Sequence, residues 1–195
     1  MKNLILLSSF LFLISCAATT GLERDAKLEN PDKEAIIVIG VKPDNFHINI
    51  MKGRLVGSKF EYSVYVTPTA WVTPTNGYVV LKVPVLGNDE TYSIIRVGEG
   101  PLSKTFQCDW PAVTFTPEAG RINYIADISY TRRSKAILLK GSLSNRSNSA
   151  KDFIKNQYPN LKLEFIDKGY KFRTVTNANC KAYFTNDVNP IEYVV

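Results

Sequence analysis

Arg121-Ile122-Asn123-Tyr124-Ile125-Ala126-Asp127-Ile128-Ser129-Tyr130 is the stretch that decides the fold class. Ile122, Tyr124, Ala126, Ile128 and Tyr130 alternate with Arg121, Asn123, Ile125, Asp127 and Ser129, and a period of two sustained over this length is that of a β-strand. Phe60, Tyr62, Val64 and Val66 repeat the pattern against Glu61, Ser63, Tyr65 and Thr67. Further strand candidates are Ala35 to Val41, Phe46 to Met51, Tyr78 to Leu86, Thr91 to Val97, Ala112 to Thr116, Lys135 to Lys140 and Leu161 to Ile166. Turn formers separate them: Lys42-Pro43-Asp44-Asn45, Thr75-Asn76-Gly77, Gly87-Asn88-Asp89, Pro117-Glu118-Ala119-Gly120 and Asp167-Lys168-Gly169. Many short strands with such punctuation predict a mainly β fold, an antiparallel β-sandwich or an open barrel. Pro84 has no N–H for a central ladder, which places its strand at an edge or a bulge.

One segment departs from the period of two. Ser149-Ala150-Lys151-Asp152 matches a capping box, Ala150, Phe153 and Ile154 share one helical face, and Pro159 stops the run. The spacing predicts a single short α-helix in the C-terminal half, covering one end or edge of the sheets.

The N-terminus has the shape of a signal peptide: Lys2 supplies the charge and Leu4 to Phe12 the short apolar core, broken by Ser8 and Ser9. That core is shorter than the roughly 20 apolar residues a membrane-spanning helix needs. It ends in Leu13-Ile14-Ser15-Cys16, which resembles the lipobox of bacterial lipoproteins. The resemblance implies diacylglyceryl transfer to the Cys16 thiol, cleavage ahead of it, and a membrane partner bound through lipid. Ala17, where many lipoproteins kept at the inner membrane have Asp, implies the outer membrane. Proline and glycine at Pro117 and Gly120, before the alternating strand from Arg121, also resemble the strand-turn-strand pattern of uncharacterised β-sandwich envelope lipoproteins. The organisation expected is a signal peptide over 1–15, a lipidated cysteine with a flexible tether over 16–34, and one β-rich domain over 35–195. The tether reading rests on Thr19, Thr20, Gly21, Pro31 and many charges with few apolar residues.

Cysteine usage fits an exported chain. With Cys16 given to lipid, Cys108 and Cys180 remain, and in an oxidising compartment such a pair forms a disulfide. Closing a loop of about 72 residues restrains the unfolded chain by roughly 4 kcal/mol on the entropy model. Independently buried thiols are the alternative. The wide separation matches neither a redox Cys-x-x-Cys nor a zinc knuckle.

Motifs for chemistry are missing: there is no Gly-x-Ser-x-Gly elbow, no phosphate-cradling glycine loop and no His-Glu-x-x-His. The single histidine, His47, removes most triad and zinc options, and its alternation with Phe46, Ile48 and Ile50 points it outward. Glu61 and Asp127 are the carboxylate pair to inspect for acid and base work, although their alternation with apolar residues makes both solvated outer-face charges. No catalytic residue, metal ligand or cofactor is assigned. A net charge of +6, without a long basic run or a recognisable motif, gives no case for nucleic acid.

Three residues are candidates for ligand contact. Arg132 and Arg133 follow Tyr130 in a predicted loop near Lys135 and Lys140, and guanidinium forks match anionic oxygens. Trp71 sits in a loop-like context of threonines and prolines, while Trp110 follows Cys108 and is placed to pack on a disulfide. The reading that results is a non-enzymatic envelope lipoprotein whose β domain contacts an envelope protein or an anionic polymer. A hydrolase or transferase of envelope polymers with an unrecognised acidic site, and a carbohydrate-binding module using Trp71, are the alternatives.

Overall fold

The computed structural model describes residues 21–63, 70–87, 90–99, 103–106, 108–133, 138–177 and 191–194. The described part is mainly β with a single helix, and its strands form two sheets of mixed direction.

The first sheet is organised by β1 (Glu34–Lys42) and β9 (Arg121–Arg133), which lie side by side in parallel. β1 carries on its other side the antiparallel β5 (Tyr78–Pro84). The outer side of β9 is shared by β11 (Glu164–Asp167), parallel to its first half, and β10 (Leu138–Ser144), antiparallel to its second. A further strand, β13 (Ile191–Val194), runs parallel to β10. Ala35 to Val41 are buried throughout, because both faces of β1 are covered; an almost unbroken apolar run is what such a position requires. Pro84 ends β5 at the edge of this sheet, where its missing N–H interrupts nothing.

The second sheet closes on itself. β2 (His47–Val56), β3 (Lys59–Tyr62), β12 (Lys171–Asn177), β8 (Pro111–Phe115) and β6 (Glu90–Gly98) pair in that order, and β6 returns to β2. The ring is a five-stranded barrel. Short β4 (Ala70–Val72) extends it at β2 and β7 (Lys104–Thr105) at β6. The purely antiparallel arrangement expected from sequence does not hold: β3 with β12, β1 with β9, β9 with β11 and β10 with β13 are parallel pairs. Parallel neighbours here are far apart in the chain, so alternation within each strand carries no information about them.

One core contains side chains of both sheets, among them Ile37, Ile39, Val79 and Ile128 from the first and Ile48, Phe60, Tyr92 and Val113 from the barrel. A second, smaller cluster lies on the opposite face of the first sheet, where Ile36, Val38, Val80, Ile122 and Tyr124 meet the helix α1 (Ser147–Gln157) through Ala150 and Ile154. The helix therefore covers a sheet face, and not the end or edge expected. It begins two residues before the predicted capping box, with Arg146 at the N-cap and no side-chain cap, so Ser149 lies inside the first turn. Its end is as read: the last helical residue is Gln157, just ahead of Pro159.

Leu22 and Leu28 pack on the same cluster, and the Leu22 N–H donates to the Val80 carbonyl at 2.9 Å. The C-terminal part of the stretch expected as a tether is thus laid against the sheet, since two leucines find an apolar face there. Among the described residues no helix is long and apolar enough to cross a membrane.

Candidate functional site

A β-bulge decides where the strongest carboxylate goes. Val38 of β1 pairs with Tyr124 and Ile39 with Ala126, which leaves Ile125 as an extra residue in β9. Inserting one residue reverses the alternation beyond it. Ile122 and Tyr124 accordingly face the helix, whereas Ala126, Ile128 and Tyr130 join the main core. The same reversal puts Asp127 on the helix side with Tyr124. Asp127 is 2 % exposed, which corrects the expectation of a solvated outer-face charge.

Its carboxylate is fully engaged. Tyr124 Oη donates to Oδ2 at 2.5 Å, Arg146 Nη2 donates to Oδ1 at 2.8 Å, and the Arg146 N–H donates to Tyr124 Oη at 2.8 Å. Opposite it in the ladder stands Gly40, where a Cβ would lie 1.9 Å from Asp127 Oδ1. Burial, then the hydrogen bond to Asp127, raise the Tyr124 phenol well above its ordinary value, and burial followed by the Asp127 charge raises that of Tyr78. The arrangement anchors the start of α1 to β9 through Arg146, a residue the sequence did not single out. Glu61 lies on the other sheet, half-buried and paired with Arg54 at 2.7 Å, so the two carboxylates are not assembled into one acid and base site.

The second polar cluster lies on the barrel wall. His47 is half-exposed between buried Phe46 and Ile48, facing outward as its alternation predicts. Its Nδ1 shares a hydrogen bond with Thr73 Oγ1 at 2.7 Å, and its ring stacks with that of Trp71 at 5.6 Å. Arg96 lies over the Trp71 ring at 4.9 Å and donates from Nε to Ser103 Oγ at 2.8 Å. Trp71 belongs to β4 and is half-buried, in place of the loop context read from sequence. Asn49, in register with both Trp71 and Arg96, is 5 % exposed, and its Oδ1 has no hydrogen-bond partner among the described residues.

The third arrangement is a groove of about 310 Å³ on the barrel. β12 contributes Lys171 and Arg173, β8 contributes Thr114 and Phe115, β6 contributes Thr91 and β2 contributes Leu55. Thr116, Lys168, Gly169 and Tyr170 complete it from the adjoining loops. Along β12, Lys171 and Arg173 alternate with Phe172, which packs on the core, and share their face with Val175, which is buried farther along the strand, so the two cations stand at the end of that face where it opens into the groove. Lys171 is directly opposite Thr114, whose Oγ1 donates to the Lys171 carbonyl at 2.8 Å. Lys168 donates to Glu118 at 2.6 Å, and that bond, with the Lys168 and Arg121 charges, holds the Glu118 carboxyl below its ordinary value against the cost of burial. Three other barrel cations are neutralised in the same way, Lys52 by Glu90, Arg54 by Glu61 and Lys59 by Asp109, while Arg96 is held by the Trp71 ring and Ser103. Among the described residues, Lys171 and Arg173 have no carboxylate partner. The groove therefore presents two uncompensated cations beside threonine hydroxyls and two aromatic rings, a surface suited to an anion.

The structure brings none of the sequence candidates into this groove. Arg132 and Arg133 close β9 in register with Leu139 and Leu138, in a strand and not in the loop expected. Lys135 lies outside the described residues, as do Cys16 and Cys180. Cys108 sits half-buried in a turn. Trp110, next to it, packs on the core. No cluster of His, Cys, Asp and Glu suited to a metal ion occurs among the described residues. Lys171 and Arg173 carried a faint signal, an alternation of Lys171, Arg173 with Tyr170, Phe172 after the Asp167-Lys168-Gly169 turn, but nothing in it distinguishes a binding wall from an ordinary solvated one. No protein-family model matches the chain, no curated protein matches it in sequence, and no solved structure matches it.

Proposed function

We propose that this chain is a bacterial envelope lipoprotein, cleaved ahead of Cys16, anchored to the outer membrane by lipid on that residue, and acting as a non-enzymatic binding module. The observation that carries the binding role is the pair Lys171 and Arg173, without a carboxylate partner among the described residues over a groove of about 310 Å³, where Lys52, Arg54 and Lys59 of the same barrel are paired. An anionic envelope component is the partner this chemistry fits. Support for the anchor is the leader ending in Leu13-Ile14-Ser15-Cys16.

Two further readings accompany it. The shared core supports a sandwich-like packing of the first sheet on the barrel wall. A bridge between Cys108 and Cys180 is supported by the path of β12: Val175 bonds to Asp109 and Trp110 at 2.9 Å each, so the chain leaves that strand a few residues short of Cys180 and beside Cys108.

The test has two arms. Cys16→Ala should abolish fatty-acid labelling in cells, and a labelled variant would refute the anchor. The full chain should be retained by immobilised dextran sulfate at low salt and released as salt rises, and Lys171→Ser with Arg173→Ser should lose that retention. An equally well retained double variant would refute the groove. Contacts of this kind are screened within about 8 Å at physiological ionic strength.

A further inference from the structure

We infer that the anion recognised by the Lys171 and Arg173 groove is the phosphorylated headgroup of an anionic lipid, an inference that rests on the groove being the binding surface. The observation behind it is apolar. Leu55, which lines the groove, is 40 % exposed, and Val56 beside it is 49 % exposed. Both stand at the tip of the hairpin joining β2 to β3, where Leu55 pairs with Phe60 and Val56 with Lys59. Removing apolar side chains of this kind from water is favourable, a gain that solvent exposure leaves unused. A soluble polyanion has nothing to offer these two residues, whereas a lipid presents charge and hydrocarbon next to one another.

The dimensions agree with this division. At about 310 Å³ the groove lies at the lower end of small-molecule sites, which run from roughly 300 to 1,000 Å³. It takes a phosphate-bearing headgroup and leaves the acyl chains outside. The guanidinium of Arg173 presents a planar fork that matches two phosphate oxygens, and the Lys171 ammonium acts as a point charge at the exposed side. Leu55 and Val56 then meet the apolar layer as the chains emerge. A headgroup in the groove would also orient the domain, with the β2 and β3 hairpin toward the bilayer that holds the lipid anchor.

The experiment uses the full lipidated chain with p-benzoylphenylalanine at position 56, reconstituted in vesicles of phosphatidylcholine alone or with phosphatidylglycerol. After irradiation, adducts are identified by mass. Phosphatidylglycerol adducts should form beyond the lipid's share of the vesicle and fall about thirtyfold in the Lys171→Ser, Arg173→Ser background, since each of the two surface cations is worth about 1 kcal/mol toward an anionic membrane. Raising salt on the unaltered groove should lower them too, a measurement independent of whether the double variant folds. Adducts in proportion to composition, unchanged by salt or by the variant, would overturn the inference. Inorganic phosphate that displaces the lipid at equal concentration would overturn it as well, because the chains would then contribute nothing. If adducts show no enrichment while dextran sulfate retention still depends on Lys171 and Arg173, the lipid assignment fails and the groove stands. If neither depends on them, both fall.

Discussion

Asp127 with Arg146, and Lys171 with Arg173, are charged pairs on neighbouring sheets of one domain, and the surroundings make opposite use of them. Under α1, the carboxylate is sealed, and every oxygen it carries meets a donor: Tyr124 on Oδ2 and Arg146 on Oδ1. On the barrel wall the two cations face a groove without any carboxylate among the described residues to meet them. A buried charge that is fully satisfied has no capacity left for a ligand, and an exposed one that is left unpaired among paired neighbours has little reason to be there for stability. The difference teaches which cluster to read as architecture and which as function.

The largest effect should come from the architectural side. Gly40→Ala puts a methyl 1.9 Å from Asp127 Oδ1, against a side chain that is held from two directions and cannot swing away. Breaking or displacing a buried pair of this kind costs roughly 3–5 kcal/mol, so urea denaturation should show the variant strongly destabilised or unfolded. A variant of nearly unchanged midpoint would mean that the carboxylate relaxes freely, and the sealed description would be broken. Asp127→Asn is gentler. It keeps the shape and removes the charge that Arg146 needs, at a cost of about 1–3 kcal/mol, while leaving dextran sulfate retention as it was. Loss of retention at unchanged stability would move Asp127 to the functional side of the comparison.

Much of this fold is legible in the sequence, and the failures have one cause. The run from Arg121 announces a strand, Ala35 to Val41 another, and Asn76 and Gly77, both with positive φ, close the hairpin between Thr75 and Tyr78 as the Thr75-Asn76-Gly77 turn predicts. A bulge at Ile125 cannot be read from alternation, because the residues on both sides of it keep a period of two and only the partner strand reveals the extra one. Simple alternation therefore puts Asp127 on the wrong face, and Arg146, which lies 19 positions on in the chain, has no visible connection to it in the sequence. The groove was missed for a related reason. Lys171, Thr91 and Leu55 meet only once the barrel closes, and strand order around a ring is a property of the whole chain.

Removing both groove cations should hardly alter stability. Lys171→Ser with Arg173→Ser touches no ion pair among the described residues, and surface changes of that kind stay within about 0.5 kcal/mol. A large fall in melting temperature would show that the two residues support the barrel, and the contrast with Asp127 would narrow.

The smallest effect sharpens the comparison most, because Lys168 belongs to the groove and is already paired. Glu118 is held below its ordinary value of 4.5 by the Lys168 hydrogen bond, the Lys168 charge and the Arg121 charge, opposed by burial. A carboxyl lowered in the folded state contributes stability above its unfolded value, and that contribution is lost as pH falls through the lowered one. Glu118→Gln should thus cost less than about 1 kcal/mol at neutral pH, with a difference from the unaltered chain that shrinks in acid, since the pair is half-exposed and screened. The same substitution releases Lys168 into the groove as a third uncompensated cation. Retention on dextran sulfate at neutral pH should then tighten a few-fold while stability slips, and acidifying the unaltered chain should reproduce both changes through protonation of Glu118. Weaker retention in Glu118→Gln would mean that Glu118 orients Lys168 for the ligand, in which case pairing and binding are not the alternatives that the two clusters make them.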